Sequence, residues 1–333
     1  MRALIVKGGY GLKHISLDEV AMPHIQQNEV LVKVGCVALN QLDLMIAKGA
    51  FGNALPHILG SDAVGEVVQV GAQVTSLQVG DIVATHFIQH WKSGRLKSSD
   101  LKSRLGTEVQ GAFSEYIALP EDSFVQIPNG LTMEEASTLP IAGLTAWEAL
   151  INVGHLEPGQ TVLLQGTGGV SIFALQFAKV LGAGVILLSS SDEKLEKAKL
   201  LGADEVINYK KIPDWPEKVV TLTKGAGVDL ALEMSWTDID KTIAAMKMGG
   251  KIAVVGLLGG ADAALSVFGI LQKSLTLEGV QVGSRDTFEQ MNRAMERYHI
   301  RPVIDKVFEM EDWKAAIDYM DSGVKLGKVV LRF

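Results

Sequence analysis

Cysteine is almost absent from this chain, because Cys36 is the only one among 333 residues. A single cysteine can form neither an internal disulfide nor a zinc site built from several cysteines. Positive charge is also scarce, since 31 lysines and arginines stand against 38 aspartates and glutamates, for a formal net charge of −7. No broad basic surface is therefore expected to neutralise a phosphate backbone, which argues against nucleic acid as a partner.

Long hydrophobic runs are few. Residues 1–7 have four apolar residues between charges, too few for the core of a signal peptide. The stretch 251–273 is long enough to cross a bilayer and has Asp262 as its one internal charge. Glycines within 256–260 divide this stretch, which predicts a buried strand, a turn and a helix rather than a membrane span. Together with the scarcity of cysteine, these features predict a cytoplasmic protein with no membrane partner.

The chain length predicts two domains, at about 150 residues for each. Residues 1–127 contain short strands punctuated by turns, whereas strands and helices alternate over 128–269. Five strands separated by helices predict a parallel, doubly wound sheet in that second region. Residues 270–333 return to strand character and are expected to complete the first domain. The expected strands of the second domain are 161–165, 185–188, 205–207, 228–233 and 251–255, with helices at 170–181, 192–201, 214–223 and 237–248. The tail that is expected to rejoin the first domain begins with a strand at 275–282.

A glycine-rich turn follows the first strand of the predicted sheet. Gly166 permits the tight turn, and Gly168 lets a pyrophosphate approach the backbone. The helix that begins with Gly169 and Val170 presents free N–H groups and a positive dipole end to that group. Ser171 replaces the third glycine of the fingerprint and is small enough for close packing of helix on strand. The pattern predicts a dinucleotide site, and a plain strand-to-helix turn is the alternative.

The end of the second strand has no carboxylate to bind the ribose 2′-hydroxyl of NAD. Ser189 occupies that position and is followed by Ser190 and then Lys194, which offer hydroxyl donors and a cation to the 2′-phosphate of NADPH. The alternative is a serine cap on the following helix, with Lys194 in solvent. Tyr209, after the third strand, is expected either beside the adenosine or half-buried in the core.

The chain resembles the medium-chain dehydrogenase/reductase superfamily, in particular its zinc-free branch of NADPH-dependent quinone oxidoreductase-like enzymes. This resemblance extends over nearly the whole chain and implies an α/β protein. It implies a GroES-like β-rich catalytic domain, a doubly wound Rossmann coenzyme-binding domain and a homodimer paired through the coenzyme domains. The matching stretches are 59–67 (LGSDAVGEV), 79–81 (VGD), 139–147 (LPIAGLTAW), 166–179, 201–204 (LGAD) and 327–330 (GKVV).

Zinc-containing members of that superfamily hold a catalytic metal with a cysteine, the histidine of a Gly-His-Glu motif and a further ligand. In this chain Asn40 stands at the cysteine position and Ser61 at the histidine position, and neither is a credible zinc ligand. The four-cysteine structural lobe is missing too. His86 and His90 lie four residues apart but have no third ligand nearby in the sequence. We therefore expect no metal site.

The resemblance also implies roles for single residues. Thr145 matches a threonine beside the nicotinamide, and Gly256 with Leu257 matches the loop over that ring. Lys328 matches a cation near the cofactor phosphates. Arg285 is either a further phosphate contact or an exposed arginine at a helix start.

The missing metal restricts the reaction. Hydride transfer to an isolated ketone leaves an alkoxide, which zinc or an acidic side chain must stabilise. Quinones and α,β-unsaturated carbonyl compounds spread that charge into a phenolate or enolate, which the Asn40 amide can stabilise. We therefore expect NADPH-dependent reduction of quinones or enones, with Asn40 orienting the carbonyl oxygen and Asp43 in a structural role. The alternatives are alcohol or ketone chemistry, and an NADPH-binding protein with a structural or sensing role.

Overall fold

The computed structural model describes residues 1–260 and 262–333. Its contacts divide the chain into one unit formed by Met1–Leu144 with Val282–Phe333 and a second unit formed by Thr145–Gln281. The boundaries differ from those expected at 127 and 269. Residues 128–144 belong to the first unit because the helix Met133–Ser137 packs against strands of that unit.

The elements are as follows. The strands are β1 (Arg2–Val6), β2 (Ile15–Glu19), β3 (Glu29–Leu39), β4 (His57–Ile58), β5 (Ala63–Val70), β6 (Ile82–Thr85), β7 (Tyr116–Pro120), β8 (Phe124–Gln126), β9 (Thr161–Gln165), β10 (Gly184–Ser189), β11 (Glu205–Asn208), β12 (Val228–Glu233), β13 (Met246–Val254), β14 (Thr276–Gly279), β15 (Ile304–Glu309) and β16 (Lys328–Arg332). The α-helices are α1 (Gln41–Ala47), α2 (Met133–Ser137), α3 (Leu144–Glu148), α4 (Gly169–Val180), α5 (Asp192–Leu200), α6 (Trp215–Leu222), α7 (Ile239–Ala245), α8 (Val267–Lys273), α9 (Arg285–Tyr298) and α10 (Trp313–Asp321).

Two sheets build the first unit. A small sheet has the order β2-β1-β4, and a larger one has the order β15-β16-β3-β5-β6-β8, with β7 also paired to β3. Strand β16 runs antiparallel to β3 with Val329 opposite Leu39, and β5 runs antiparallel to β3 with Ala63 opposite Val37. This register brings together three residues at one end of the sheet. They are Asn40 just after β3, Asp62 just before β5 and Lys328 at the start of β16.

The second unit is a parallel sheet in the order β11-β10-β9-β12-β13-β14. Strand order reverses between β9 and β12, which is the point where doubly wound sheets bind ligands. Val162, Leu163 and Leu164 of β9 are fully buried, as expected of a strand covered by helices on both faces. The predicted fold class is thus confirmed, with a β-rich unit and a doubly wound Rossmann unit.

Two elements near the second boundary differ from the prediction. The expected tail strand 275–282 is β14, which pairs parallel with β13 in the second unit. Helix α8 connects these two strands, so the three form one β-α-β crossover that the expected boundary at 269 had divided. The expected helix 237–248 ends at Ala245, and the chain continues as β13 from Met246. Gly249, with φ +71°, adopts a backbone conformation that a helix does not use.

The apolar stretch 251–273 forms the end of β13 and helix α8. Within the residues that the structure describes, no helix is long and apolar enough to cross a membrane. None of the residues of this helix is buried. Val267, Phe268 and Leu271 form an exposed apolar surface, the α8 patch, because this crossover helix leaves one face uncovered.

Candidate functional site

The glycine-rich turn has the geometry of an anion-binding helix terminus. Gly166 has φ +75°, a left-handed conformation that favours glycine, and its N–H donates to Leu188 O at 2.7 Å. Gly168 caps α4 in an extended conformation, and the first bond into the helix runs from Ile172 N to Gly168 O at 3.0 Å. The N–H groups of Gly169 and Val170 precede that bond, so they have no carbonyl partner inside the helix and are available to a phosphate.

A polar cluster missed by the sequence analysis lies beside this turn. Gln165 ends β9 and donates its side-chain amide to Glu233 Oε2 at 2.8 Å and to Thr242 Oγ1 at 2.9 Å. Glu233 ends β12 and is 1% exposed. A cavity of about 310 Å³ opens here, with Gly166 and Tyr209 in its lining. Polar residues directly after buried parallel strands were the available signal, because such strand ends meet at the ligand edge of the sheet.

The serine run at the end of β10 forms the cap of the next helix. Ser189 is buried and its Oγ accepts from Ser191 N at 3.3 Å, whereas Ser190 is exposed. Ser191 caps α5 by accepting from Lys194 N at 3.4 Å, so the serine-cap interpretation applies to Ser191. Tyr209 donates its backbone N–H to Ser189 O at 3.2 Å, and the residue is 42% exposed.

Asp192 is a carboxylate near the serine run that the sequence analysis did not weigh. It accepts from Asn208 Nδ2 at 2.6 Å and pairs with Lys211. The hydrogen bonds from Lys211 and Asn208 hold the pKa of Asp192 below its ordinary value. Asn208 also approaches Ser190 O at 3.4 Å. The charge of this carboxylate is therefore countered by a lysine from the loop after β11.

The remaining residues expected at the cofactor lie in the second unit, apart from Lys328 and Arg285. Thr145 is buried at the start of this unit. Gly256 follows β13, and a Cβ there would lie 2.6 Å from Met234 O, so this close approach requires glycine. Leu257 is about half exposed. Arg285 begins α9 in the first unit and pairs with Asp122 and Glu289.

Asn40 lies in the first unit within a buried polar cluster that we call the Asn40 cluster: Asn40, Asp43, Ser61, Asp62 and Lys328. Asn40 follows β3 as the N-cap of α1, and its backbone N–H donates to Asp43 Oδ2 at 2.7 Å. Lys328 begins β16 and donates to Asn40 Oδ1 at 2.6 Å, to Leu39 O at 3.0 Å and to Asp62 Oδ2 at 3.3 Å. The structure thus gives Lys328 protein partners where the sequence led us to expect cofactor phosphates.

Burial governs the electrostatics of this cluster. Asp43 and Asp62 are 2% and 0% exposed. Burial raises the pKa of Asp43 to about 7, although the Asn40 N–H opposes the shift. Burial also raises the pKa of Asp62, against the opposing charge of Lys328 and a hydrogen bond from Asn40. Lys328 is 3% exposed, so one lysine and two carboxylates share a region of low dielectric constant.

The donors near Asn40 do not fit a zinc ion. Catalytic zinc sites use histidine, cysteine and carboxylate ligands, whereas Asn40 and Ser61 offer an amide and a hydroxyl. Cys36 lies buried in β3, where burial raises the pKa of its thiol to about 12, so it stays protonated. His86 binds Gly283 O at 3.1 Å through Nε2. Over residues 1–260 and 262–333, no group of three or more His, Cys, Asp or Glu side chains is placed to hold a metal.

Comparison with known proteins decides the family. Residues 26–129 match the alcohol dehydrogenase GroES-like domain, and residues 169–297 match the family described as zinc-binding dehydrogenase. The zinc-type alcohol dehydrogenase-like protein of Schizosaccharomyces pombe is 38% identical over 332 residues, which cover 97% of this chain and 96% of that protein. The chain belongs to the zinc-type alcohol dehydrogenase-like superfamily. This membership makes it a medium-chain dehydrogenase/reductase, an oxidoreductase that uses a pyridine nucleotide.

Solved structures of the same superfamily agree over the full length. A putative alcohol dehydrogenase from Sinorhizobium meliloti 1021 superposes with a TM-score of 0.94 and 37% identity, covering 100% of this chain and 98% of that one. A quinone oxidoreductase from Coxiella burnetii superposes with a TM-score of 0.81 and 26% identity, covering 100% of this chain and 99% of that one. Members of this fold are therefore named for both alcohol and quinone chemistry.

Proposed function

We propose that this chain is a zinc-independent oxidoreductase that reduces quinones or α,β-unsaturated carbonyl compounds with NADPH. The observation that supports it most is the position of the Lys328 ammonium, which binds oxygens of Asn40 and Asp62. A dication beside these groups would be repelled by the ammonium in a region of low dielectric constant. Neither Asn40 nor Ser61 provides the nitrogen or sulfur donor that would offset this repulsion.

The second unit supplies the residues that would hold the cofactor. The N–H groups of Gly169 and Val170 bind the pyrophosphate, and Gly166 and Gly168 let it approach. Ser190, Lys194 and the loop after β11 surround the 2′-phosphate. NADPH supplies the hydride, and the chain contributes binding and orientation. The closeness of Lys211 to Asp192 supports NADPH over NAD, because the lysine offsets the carboxylate that would repel a phosphate.

Asn40 would act on the oxygen of the substrate. Hydride addition to a quinone or enone moves negative charge onto that oxygen, and an amide N–H can stabilise it. The same charge is delocalised through the conjugated system, so a neutral donor suffices where an isolated ketone requires a stronger electrophile. Residues Thr145, Gly256 and Leu257 keep their expected place at the nicotinamide in this proposal.

The test compares a quinone, an enone and its saturated ketone with wild-type protein and Asn40→Ala. We expect the conjugated substrates to react faster than the saturated ketone by roughly 10² or more. Asn40→Ala lowers kcat more than it raises the KM for NADPH, because the amide acts on the developing oxyanion. Asn28→Ala, an exposed asparagine before β3, is the matched control and leaves both constants unchanged.

Metal content provides a second test. The purified protein is expected to hold no stoichiometric zinc and to keep its activity in a strong chelator. One bound zinc for each chain, together with loss of activity in the chelator, would overturn the zinc-independent reaction.

Alcohol or ketone oxidoreduction is the second candidate. It is favoured by the names of the Schizosaccharomyces pombe relative and the Sinorhizobium meliloti structure. Comparable rates on the saturated ketone and the enone would move it to first place. An absence of turnover with every carbonyl compound, despite NADPH binding, would instead support a structural or sensing role.

We also propose that the chain forms a homodimer through its second unit. Strand β14 ends the parallel sheet, and the helix that leads into it carries the α8 patch, in which Val267, Phe268 and Leu271 are 69% to 74% exposed. A strand at the edge of a sheet and an exposed apolar surface are each suited to pairing with a second copy. Phe268→Glu is expected to halve the mass measured by light scattering, whereas Gln272→Glu on the same helix leaves it unchanged.

A further inference from the structure

The Lys328 ammonium has its hydrogen-bonding capacity filled within the first unit. An ammonium has three donors, and those of Lys328 meet Leu39 O, Asn40 Oδ1 and Asp62 Oδ2 at 3.0, 2.6 and 3.3 Å. Its side chain is 4% exposed, and that of Asp62 is fully buried. Binding a cofactor phosphate would require the lysine to give up one of these bonds and leave a buried acceptor unpaired.

The contact with Asn40 determines which way its amide points. Its carbonyl oxygen is held by a short, charge-assisted bond from the lysine. Rotating the amide by half a turn would place its NH₂ group against the ammonium, donor against donor. The Nδ2 group has two N–H donors: one hydrogen-bonds the Asp62 carboxylate, and the other lies 3.5 Å from Ala38 O, so this second N–H keeps most of its donor capacity.

We propose that Lys328 is a positioning residue that fixes the Asn40 amide with Nδ2 facing the substrate oxygen. The inference rests on the proposed reduction of quinones or enones, in which Asn40 binds that oxygen. A donor on the amide oxygen also polarises the amide, so its N–H becomes a stronger donor. Asp62 balances the charge of the lysine, which lets the ammonium remain buried beside Asn40.

A double-mutant cycle tests this coupling. Lys328→Met keeps the length of the side chain and removes its donors, and it is measured alone and in the Asn40→Ala background. We expect Lys328→Met to lower kcat about 10- to 100-fold, with the Kd for NADPH changed less than about twofold. In the Asn40→Ala background it is expected to have no further effect on kcat, because the lysine acts through that amide. Lys33→Met, which removes an exposed lysine from β3, is the matched control.

Two results of the cycle would overturn the inference. One is a tenfold or larger rise in the Kd for NADPH with kcat retained, which would indicate that Lys328 binds the cofactor phosphates. The other is full additivity of the two substitutions. Thermal unfolding and NADPH binding check that each variant is folded. If Lys328→Met does not fold, Lys328→Gln replaces it in the same cycle, because the glutamine removes the positive charge and with it the charge-assisted bond to Asn40.

A readout without turnover separates this inference from the proposed function. In protein labelled with ¹⁵N-asparagine, the side-chain NH₂ signals of Asn40 are those missing from Asn40→Ala. We expect Lys328→Met to shift these signals and Lys33→Met to leave them in place. Unchanged signals would overturn the positioning role even if quinones are reduced. If wild-type protein reduces no carbonyl compound, the proposed function fails, while the signals still report on the amide.

Discussion

Gln165 and Glu233 join the ends of neighbouring strands β9 and β12 through a side-chain hydrogen bond of 2.8 Å. The same carboxylate accepts from Thr242 Oγ1 at 2.7 Å and from Trp236 N at 2.9 Å. Donors from a strand, a helix and a loop therefore converge on one buried group where the strand order reverses. This group holds in place the residues that line the cavity beside Gly166.

Removing this carboxylate should loosen the ligand edge of the sheet. We expect Glu233→Ala to lower the free energy of unfolding by about 2–4 kcal/mol, because buried donors of Gln165 and Thr242 lose their acceptor. NADPH affinity is expected to fall as well. Urea denaturation and fluorescence titration measure the two effects. Glu233→Gln, which keeps one acceptor oxygen, is the control, and a Glu233→Ala protein as stable as this control would contradict the prediction.

Cofactor preference depends on the residues after β10. We expect wild-type protein to bind NADPH more tightly than NADH. Lys194→Ala should weaken NADPH binding roughly ten- to hundredfold, through loss of a charge-assisted contact worth about 1.5–3 kcal/mol, and leave NADH binding nearly unchanged. Lys199→Ala, farther along α5, is the control for loss of charge. Equal affinities of the two cofactors for wild-type protein would show that the serine run caps α5 and does not bind the 2′-phosphate.

Gly60, next to Ser61, provides a test of packing in the Asn40 cluster. Gly60 and Gly80 have similar backbone conformations, with φ +92° and +96°. A Cβ at Gly60 would lie 1.9 Å from Phe113 Cδ1, whereas nothing lies within 4 Å of a Cβ at Gly80. Both alanine variants bear the cost of a positive φ, about 1–2 kcal/mol, and Gly60→Ala should lose about 1–3 kcal/mol more through overpacking. Equal midpoints of thermal unfolding would refute the crowding.

His86 makes stability depend on pH. Burial lowers the pKa of His86 to about 4, although its bond to Gly283 O opposes the shift. The unfolded chain binds a proton at about pH 6.5 and the folded chain does not, so stability falls as the pH drops from about 6.5 toward 4. Between pH 7 and pH 5 wild-type protein should lose about 2 kcal/mol more than His86→Gln, measured by urea denaturation. A parallel decline of the two proteins would show that His86 does not titrate in this range.

The fold and the glycine-rich turn could be predicted because their signals are local. The turn from Gly166 to Val170 and the alternation of strands with helices are read from neighbouring residues, and the structure confirms the Rossmann architecture. The position of β14 in the second unit could not be predicted from neighbouring residues. It depends on the sheet edge with which the chain pairs after helix α8. Glu233 was missed for a similar reason, because only the sheet brings it to Gln165, 68 residues away.

The contacts within the Asn40 cluster could not be predicted from the sequence. By itself, the sequence determined the fold class and the glycine-rich turn, and its resemblance to zinc-containing dehydrogenases led us to expect Asn40 and Ser61 where those proteins have zinc ligands. The tertiary structure decided the partner of Asn40, because the antiparallel pairing of β16 with β3 brings Lys328 to it across 288 residues. Strand register is set by burial over the entire sheet, and no local pattern around residue 40 or residue 328 specifies it.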